Sequence, residues 1–93
     1  MYYRGETMVI YFDWDETNIL HIARHNVEPE EAEEVLYNRP LIRRSYQNRY
    51  AAYGQTNNGR FLVVIYMKKL LSIIRVITAR DMESKERRLY ERR

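Results

Sequence analysis

With 93 residues and no cysteine, the chain has the size of one domain with a modest core, and it has neither a disulfide framework nor a thiolate zinc site. It contains no secretory h-region and no apolar run near the roughly 18 residues of a membrane helix, so no membrane association is expected and a reducing cytoplasm suits it. The net charge of +3 hides an asymmetry: residues 1–34 hold two basic and nine acidic side chains, net −7, and residues 35–93 hold fourteen and four, net +10. A basic part of that size implies an anionic partner, nucleic acid or an acidic protein segment, unless the two parts face each other within the fold. Nine tyrosines suit strands, RNA stacking and interfaces alike and do not choose among them.

Residues 1–7 show no period and are expected to form a loose leader. Residues 9–12 read as a short strand, closed by Asp13-Trp-Asp15, which also caps the first helix. Ile19, Ile22 and Ala23 recur at helical spacing within residues 16–25, and Asn26 suits a left-handed helix end. A second helix starts with Pro29 at its first position, carries Glu30, Glu31, Glu33 and Glu34 in its first turns, buries Ala32, Val35 and Leu36, and ends before Pro40. Four strands come next, at residues 41–44, 49–53, 61–67 and 73–79. Asn57-Asn58-Gly59 marks a hairpin turn, and the strand at 61–67, apolar on both faces, is expected at the sheet centre. The tail from Asp81 onward reads as a basic amphipathic helix, with Asp81 or Ser84 as its cap. The fold class is therefore α+β, a small antiparallel sheet with two N-terminal helices packed on it and a C-terminal helix, in the order β-α-α-β-β-β-β-α.

Arg80 stands where the last strand gives way to this helix. A guanidinium at a strand end is held by the sheet yet projects into solvent, which suits it to gripping phosphate. Regular alternation puts Arg75 and Arg80 on opposite faces, unless a bulge or the strand end re-aims one. Arg75 shares its face with Ile73 and Ile77 and reads either as a structural residue or as a functional one.

Five segments in order, Phe12-Asp-Trp-Asp15, Arg24-His25-Asn-Val27 with Glu30-Glu-Ala32, Arg49 ahead of Gly54, Gly59-Arg60-Phe-Leu-Val-Val64, and Ile74-Arg75-Val-Ile-Thr-Ala-Arg80 with Lys85-Glu-Arg-Arg-Leu-Tyr90-Glu91, together resemble the BrnT family. Its members are ribonuclease toxins of bacterial type II toxin–antitoxin systems with a RelE-like fold. The resemblance covers nearly the whole chain from Val9 to Glu91. It implies an endoribonuclease that works without metal or cofactor, through the RNA 2′-hydroxyl, and so inhibits translation and growth. The alternative is a non-catalytic relative that binds nucleic acid and antitoxin in operon autoregulation. As partners it implies RNA and a cognate BrnA-like antitoxin of ribbon-helix-helix type, in a 2:2 heterotetramer that reaches operator DNA through the antitoxin. The chain departs from the family where Arg24-His-Asn-Val27 replaces Lys-His-Gly-Val, which keeps the charge but not a titratable base, and at Lys68-Lys-Leu-Leu71, where two leucines stand in a hairpin that is usually polar.

Such cleavage needs a base for the 2′-hydroxyl, in-line attack, stabilisation of the non-bridging oxygens and an acid for the leaving oxygen. Arg80 and Arg49 are the candidates for charge stabilisation. His25 matches the family's histidine and is either a general acid at a helix C-terminus or a structural residue bonding the helix-end carbonyls. Tyr90, in the C-terminal segment, is either a proton-transfer or stacking group or a packing residue. Arg24, Arg60, Arg75, Lys85, Arg87 and Arg88 are expected to bind RNA. The His21 and His25 pair lacks a third ligand, so no metal site is expected.

Overall fold

The computed structural model describes residues 9–70 and 72–93, so the expected leader at 1–7 and the side chain of Leu71 lie outside the described residues. The elements are β1 (Tyr11–Phe12), α1 (Glu16–Ala23), α2 (Pro29–Tyr37), β2 (Leu41–Arg44), β3 (Tyr50–Gln55), β4 (Phe61–Leu70), β5 (Ile73–Asp81) and α3 (Ser84–Glu91). The class and the order are those expected. Helix α1 stops two residues sooner than the periodicity suggests, because Asn26 at φ 59° ends it in a left-handed turn.

All five strands form one sheet in the order β1-β5-β4-β3-β2, with β4 at its centre. The three successive hairpin pairs are antiparallel, but β1 lies parallel to β5, so the sheet is mixed rather than wholly antiparallel. The parallel edge arises because α1 and α2 intervene between β1 and the meander, and a strand followed by helices can return alongside in the same direction.

One face of the sheet is covered by α1 and α2. Its core joins Ile22, Val27, Ala32 and Val35 of the helical layer to Ala52, Leu62, Val64, Tyr66, Ile74, Val76 and Ala79 of the sheet. Gly54 belongs to this face: a Cβ there would lie 3.2 Å from Val35 Cγ1 and 3.3 Å from Pro40 Cβ, so α2 packs where no side chain fits. The hairpin at Asn57-Asn-Gly59 closes through Gly59 at φ 87°, with Thr56 N–H donating to Arg60 O at 2.9 Å.

Strand β5 does not keep a single alternation. Ile65 pairs with Thr78 but Tyr66 pairs with Val76, leaving Ile77 as an extra residue. This bulge shifts the core-facing positions from 74 and 76 to 79, and it turns Arg75 and Arg80 to the same face, opposite α1 and α2. The expected opposition of the two arginines fails for that reason.

The start of α1 is tied to the edge of β5 by Asn18, a buried polar side chain. Asn18 Nδ2 donates to Val76 O and to Asp13 O, both at 3.0 Å, and Oδ1 accepts from Asp15 N at 2.8 Å. Asp15 Oδ1 in turn accepts from Asn18 N, which completes a reciprocal cap. Replacing Asn18 with Ala is expected to lower unfolding free energy by about 2 kcal/mol, since Val76 O would stay buried without that donor. Urea denaturation of the two proteins measures this.

Candidate nucleic-acid interface

The sheet face away from α1 and α2 carries a band of arginines over a partly apolar floor. Cross-strand pairing places Arg80 in a row with Val63 and Tyr53, and places Arg75 in a row with Met67. Arg49 stands one residue before β3, and continued alternation from Ala51 brings it to the Met67–Arg75 row. The two rows are four residues apart along β4, or about 13 Å. Between them runs the row Arg43, Ala51, Ile65 and Thr78. Helix α3 covers one end of this face through Tyr90, whose ring meets that of Phe61 edge-on at 6.0 Å.

Arg80 is fixed by Glu86. Its two terminal nitrogens each donate to one carboxylate oxygen at 2.8 Å, and Nη1 also donates to Asp81 O at 3.0 Å. Glu86 Oε1 additionally accepts from Glu83 N at 2.8 Å, so one carboxylate both caps α3 and aims the arginine. Glu83 is the N-cap, and neither Asp81 nor Ser84 plays the expected capping part. The Arg80 hydrogen bond holds the Glu86 carboxyl below its ordinary range against the opposing effect of burial, and the same bond raises the Arg80 pKa. The Arg80 side chain stays 40% exposed and that of Glu86 18%, so the guanidinium keeps an open side.

Arg49 leaves a tight turn in which Gln47 and Asn48 both adopt left-handed backbone, at φ 59° and 60°. Its N–H donates to Tyr46 O at 3.1 Å and its carbonyl accepts from Ser45 N at 2.8 Å. Its Nε is buried and has no acceptor among the described residues. A buried donor on a cation costs free energy unless an acceptor arrives, so this position favours an anion. Arg75, by contrast, is engaged: Nη1 and Nη2 donate to the Asp15 carboxylate at 3.0 and 3.2 Å, and Nη1 reaches Asp13 Oδ2 at 3.4 Å. Arg43 is exposed and makes no ion pair among the described residues. Both Arg43 and Tyr53 join the face although sequence reasoning passed over them. The alternation Leu41-Ile-Arg43-Arg44 carried the signal for Arg43, and the strand reading at 49–53 carried it for Tyr53.

The other expected residues lie elsewhere. Arg60 is a structural hub: Nε donates to Asp81 Oδ1 at 2.9 Å, Nη1 to Asn26 O at 2.6 Å and to Glu31 Oε1 at 3.1 Å, and Nη2 to His25 O at 3.2 Å. It latches the α1–α2 corner to β4 and β5 and has little capacity left for RNA. Arg24 caps α1, and His25 follows it in the exposed turn of the helical layer, across the sheet from the arginine band. The His25 ring lies 6.3 Å from that of His21, and its backbone carbonyl serves Arg60. Tyr90 is 5% exposed, between Phe61 and the Arg93 guanidinium 3.9 Å from its ring centroid, so its packing anchors α3. Arg87 stacks on Phe61 at 3.9 Å, while Lys85 and Arg88 are exposed along α3.

The two charged parts of the chain do meet in part. Arg60 pairs with Glu31, Lys69 with Asp13, and Arg75 with Asp13 and Asp15. The Lys69 hydrogen bond lowers the Asp13 pKa and the Arg75 hydrogen bond lowers that of Asp15. Among the described residues, no group of three or more His, Asp or Glu is placed to hold a metal ion, and no helix is long and apolar enough to cross a membrane.

The sequence model of the family described as "Ribonuclease toxin, BrnT, of type II toxin-antitoxin system" matches residues 14–86. The crystal structure of the Brucella abortus ribonuclease toxin BrnT superposes with a TM-score of 0.64 at 23% identity, over 84% of this chain and 100% of that one. At that identity the likeness is one of fold. No curated protein matches the chain at a significant level.

Removing the hub with Arg60→Ala is expected to destabilise the fold by about 1–2 kcal/mol, mainly because Glu31 and the Asn26 and His25 carbonyls lose their donor, whereas Lys85→Ala changes stability by under about 0.5 kcal/mol. Thermal and urea melts compare the two. Glu86 has a folded-state pKa below its unfolded value, so its contribution is present above about pH 4.5 and is lost as pH falls through the folded pKa. Glu86→Gln should therefore lose less stability than the parent chain between neutral pH and pH 3, as followed by acid titration of the circular dichroism signal.

Proposed function

The chain belongs to the BrnT ribonuclease toxins of type II toxin–antitoxin systems, and on that premise we propose that it is an endoribonuclease whose substrate strand lies across the arginine face of the sheet. The observation that carries this reading is the pairing of a fixed, half-open guanidinium at Arg80 with a buried, unanswered Nε at Arg49 on one face. RNA cleavage through the 2′-hydroxyl builds charge on the non-bridging phosphate oxygens, and preorganised cations near that charge supply the largest catalytic term without a metal. Arg80 takes the scissile phosphate, with Glu86 as its positioning residue. Arg49 takes a neighbouring phosphate, with Arg43 and the exposed cations Lys85 and Arg88 drawing the strand in.

Proton transfer falls to Tyr53 in this reading, since its phenol stands in the Arg80 row. Tyr90 positions α3, and His25 stays on the far side of the sheet. The floor of Tyr53, Ile65, Met67 and Thr78 is partly buried and offers bases a surface to stack on. The biological consequence is arrest of translation and growth in the cytoplasm. The partner is a BrnA-like ribbon-helix-helix antitoxin that forms a 2:2 heterotetramer and carries operator binding.

Purified protein should cut RNA in EDTA and leave a 2′,3′-cyclic phosphate. Arg80→Ala and Arg49→Met should each lower the rate by about 100-fold or more while keeping the melting temperature within a few degrees. Intact RNA beside a well-folded parent chain would favour the non-catalytic alternative, and full activity in Arg80→Ala would remove the role given to that residue.

A further inference from the structure

The sheet is longer than the helical layer that covers it, and the uncovered end is apolar. There β4 and β5 run on to their connecting turn, with Tyr11 and Leu70 flanking Ile73 in register. Tyr11, Ile73 and Leu70 point to the arginine face there, whereas Val9 and Ile42, two of the eight large hydrophobic residues exposed among those described, line the helical face beside Tyr37. Tyr37 belongs to the group because its hydroxyl bonds the backbone of Ile10, accepting from N–H at 3.2 Å. On the helical side of the hairpin end lies a cavity of about 290 Å³, walled by Ile10, Leu36, Pro40, Ile42, Tyr66 and Ile74. An open apolar cavity with exposed Val9 and Ile42 on its wall suits a contact with a partner better than contact with solvent.

The rim decides what fits. Lys68 lines the cavity, and no carboxylate does. Lys68 Nζ and the Arg44 guanidinium both sit over the Tyr50 ring, at 5.0 and 5.8 Å from its centroid, and Tyr50 stacks on Tyr66 at 5.5 Å. A second copy of the chain would bring one basic rim against another across a two-fold axis, which is repulsive. RNA would meet an apolar wall with only Lys68 and Arg44 at its rim, while the arginine band lies on the opposite face. A segment with apolar anchors and adjoining carboxylates matches both the wall and the rim.

We propose that this cavity is the antitoxin-docking surface, and that it receives an apolar, acidic segment of the antitoxin in the groove between α2, residues 9 and 10, and strands β2, β4 and β5. The proposal rests on the toxin reading only in naming the occupant. It leaves the arginine face for substrate. It also means that the antitoxin restrains the toxin from the far side of the sheet.

The test uses the full chain and the purified protein encoded by the adjoining reading frame of its operon. Calorimetric titration should show affinity falling by at least about 100-fold for Ile42→Asp and about tenfold for Lys68→Glu. Both variants should retain the parent's circular dichroism spectrum and, without antitoxin, its action on RNA. Lys68→Glu sits on an exposed strand end, so it keeps the proposal testable should Ile42→Asp fail to fold. Unchanged affinity in a folded variant overturns the proposal, and so does a dimer of the isolated chain that Ile42→Asp dissociates. If the parent chain binds the antitoxin through Ile42 yet leaves RNA intact, the docking surface stands and the nuclease reading falls.

Discussion

The extra residue at Ile77 in β5 sets the arrangement of everything on the outer face. Without it, the strand would keep one alternation from Ile73 to Asp81, and Arg80 would point into the helical layer beside Leu62 and Val64. No carboxylate in that apolar core could accept it, and burying an unpaired guanidinium there would cost several kcal/mol. The bulge instead puts Ala79 into the core, where a small residue fits beneath α1 and α2, and delivers Arg80 to the side on which α3 lands. Helix α3 is short, and its inner side is fastened by the Arg80–Glu86 pair and by Tyr90 against Phe61. The bulge therefore fixes where the last helix can dock as well as where the arginine points.

Charge is used differently on the two sides of the molecule. The acidic N-terminal part provides Asp13, Asp15 and Glu31, and these hold Arg75, Lys69 and Arg60 at the edges of the sheet. These contacts are structural, because they join the α1 start and the α1–α2 corner to β4 and β5. The cations on the arginine face draw on few acids: Arg80 has Glu86, Arg49 Nε has no acceptor, and Arg43 has no ion pair among the described residues. The charge on that face is thus only partly compensated among the described residues. Arg75 lies at the border, on the arginine face by register but already paired with two aspartates.

Most of the fold could be read from the sequence because its signals are local. Pro29 at a helix start, Asn26 at a helix end, the Asn-Asn-Gly hairpin and the doubly apolar run in β4 each act through φ preference or burial at their own position. The errors have a different physical origin. A bulge at Ile77 depends on which residue β4 presents opposite, and no feature of β5 itself announces it. Parallel pairing of β1 with β5 is a long-range event between segments at opposite ends of the chain. The left-handed turn at Gln47-Asn48 contains no glycine, and its tightness comes from the strands on either side.

The same distinction explains why candidate site residues were harder to assign than elements. Arg60, Arg75 and Arg80 look alike in sequence, each a basic residue on an apolar strand, yet their neighbours give them three settings: a hub to Asp81, Glu31 and two carbonyls, an edge clasp to two aspartates, and a half-open pair with Glu86. Two tyrosines make the same point. Tyr90 has a buried ring that seats α3, whereas Tyr53, between Arg49 and Gly54 of one matching segment, stands in the row of Arg80. A residue's place in a motif therefore says that something depends on it, and only its partners say whether that something is the scaffold or the chemistry.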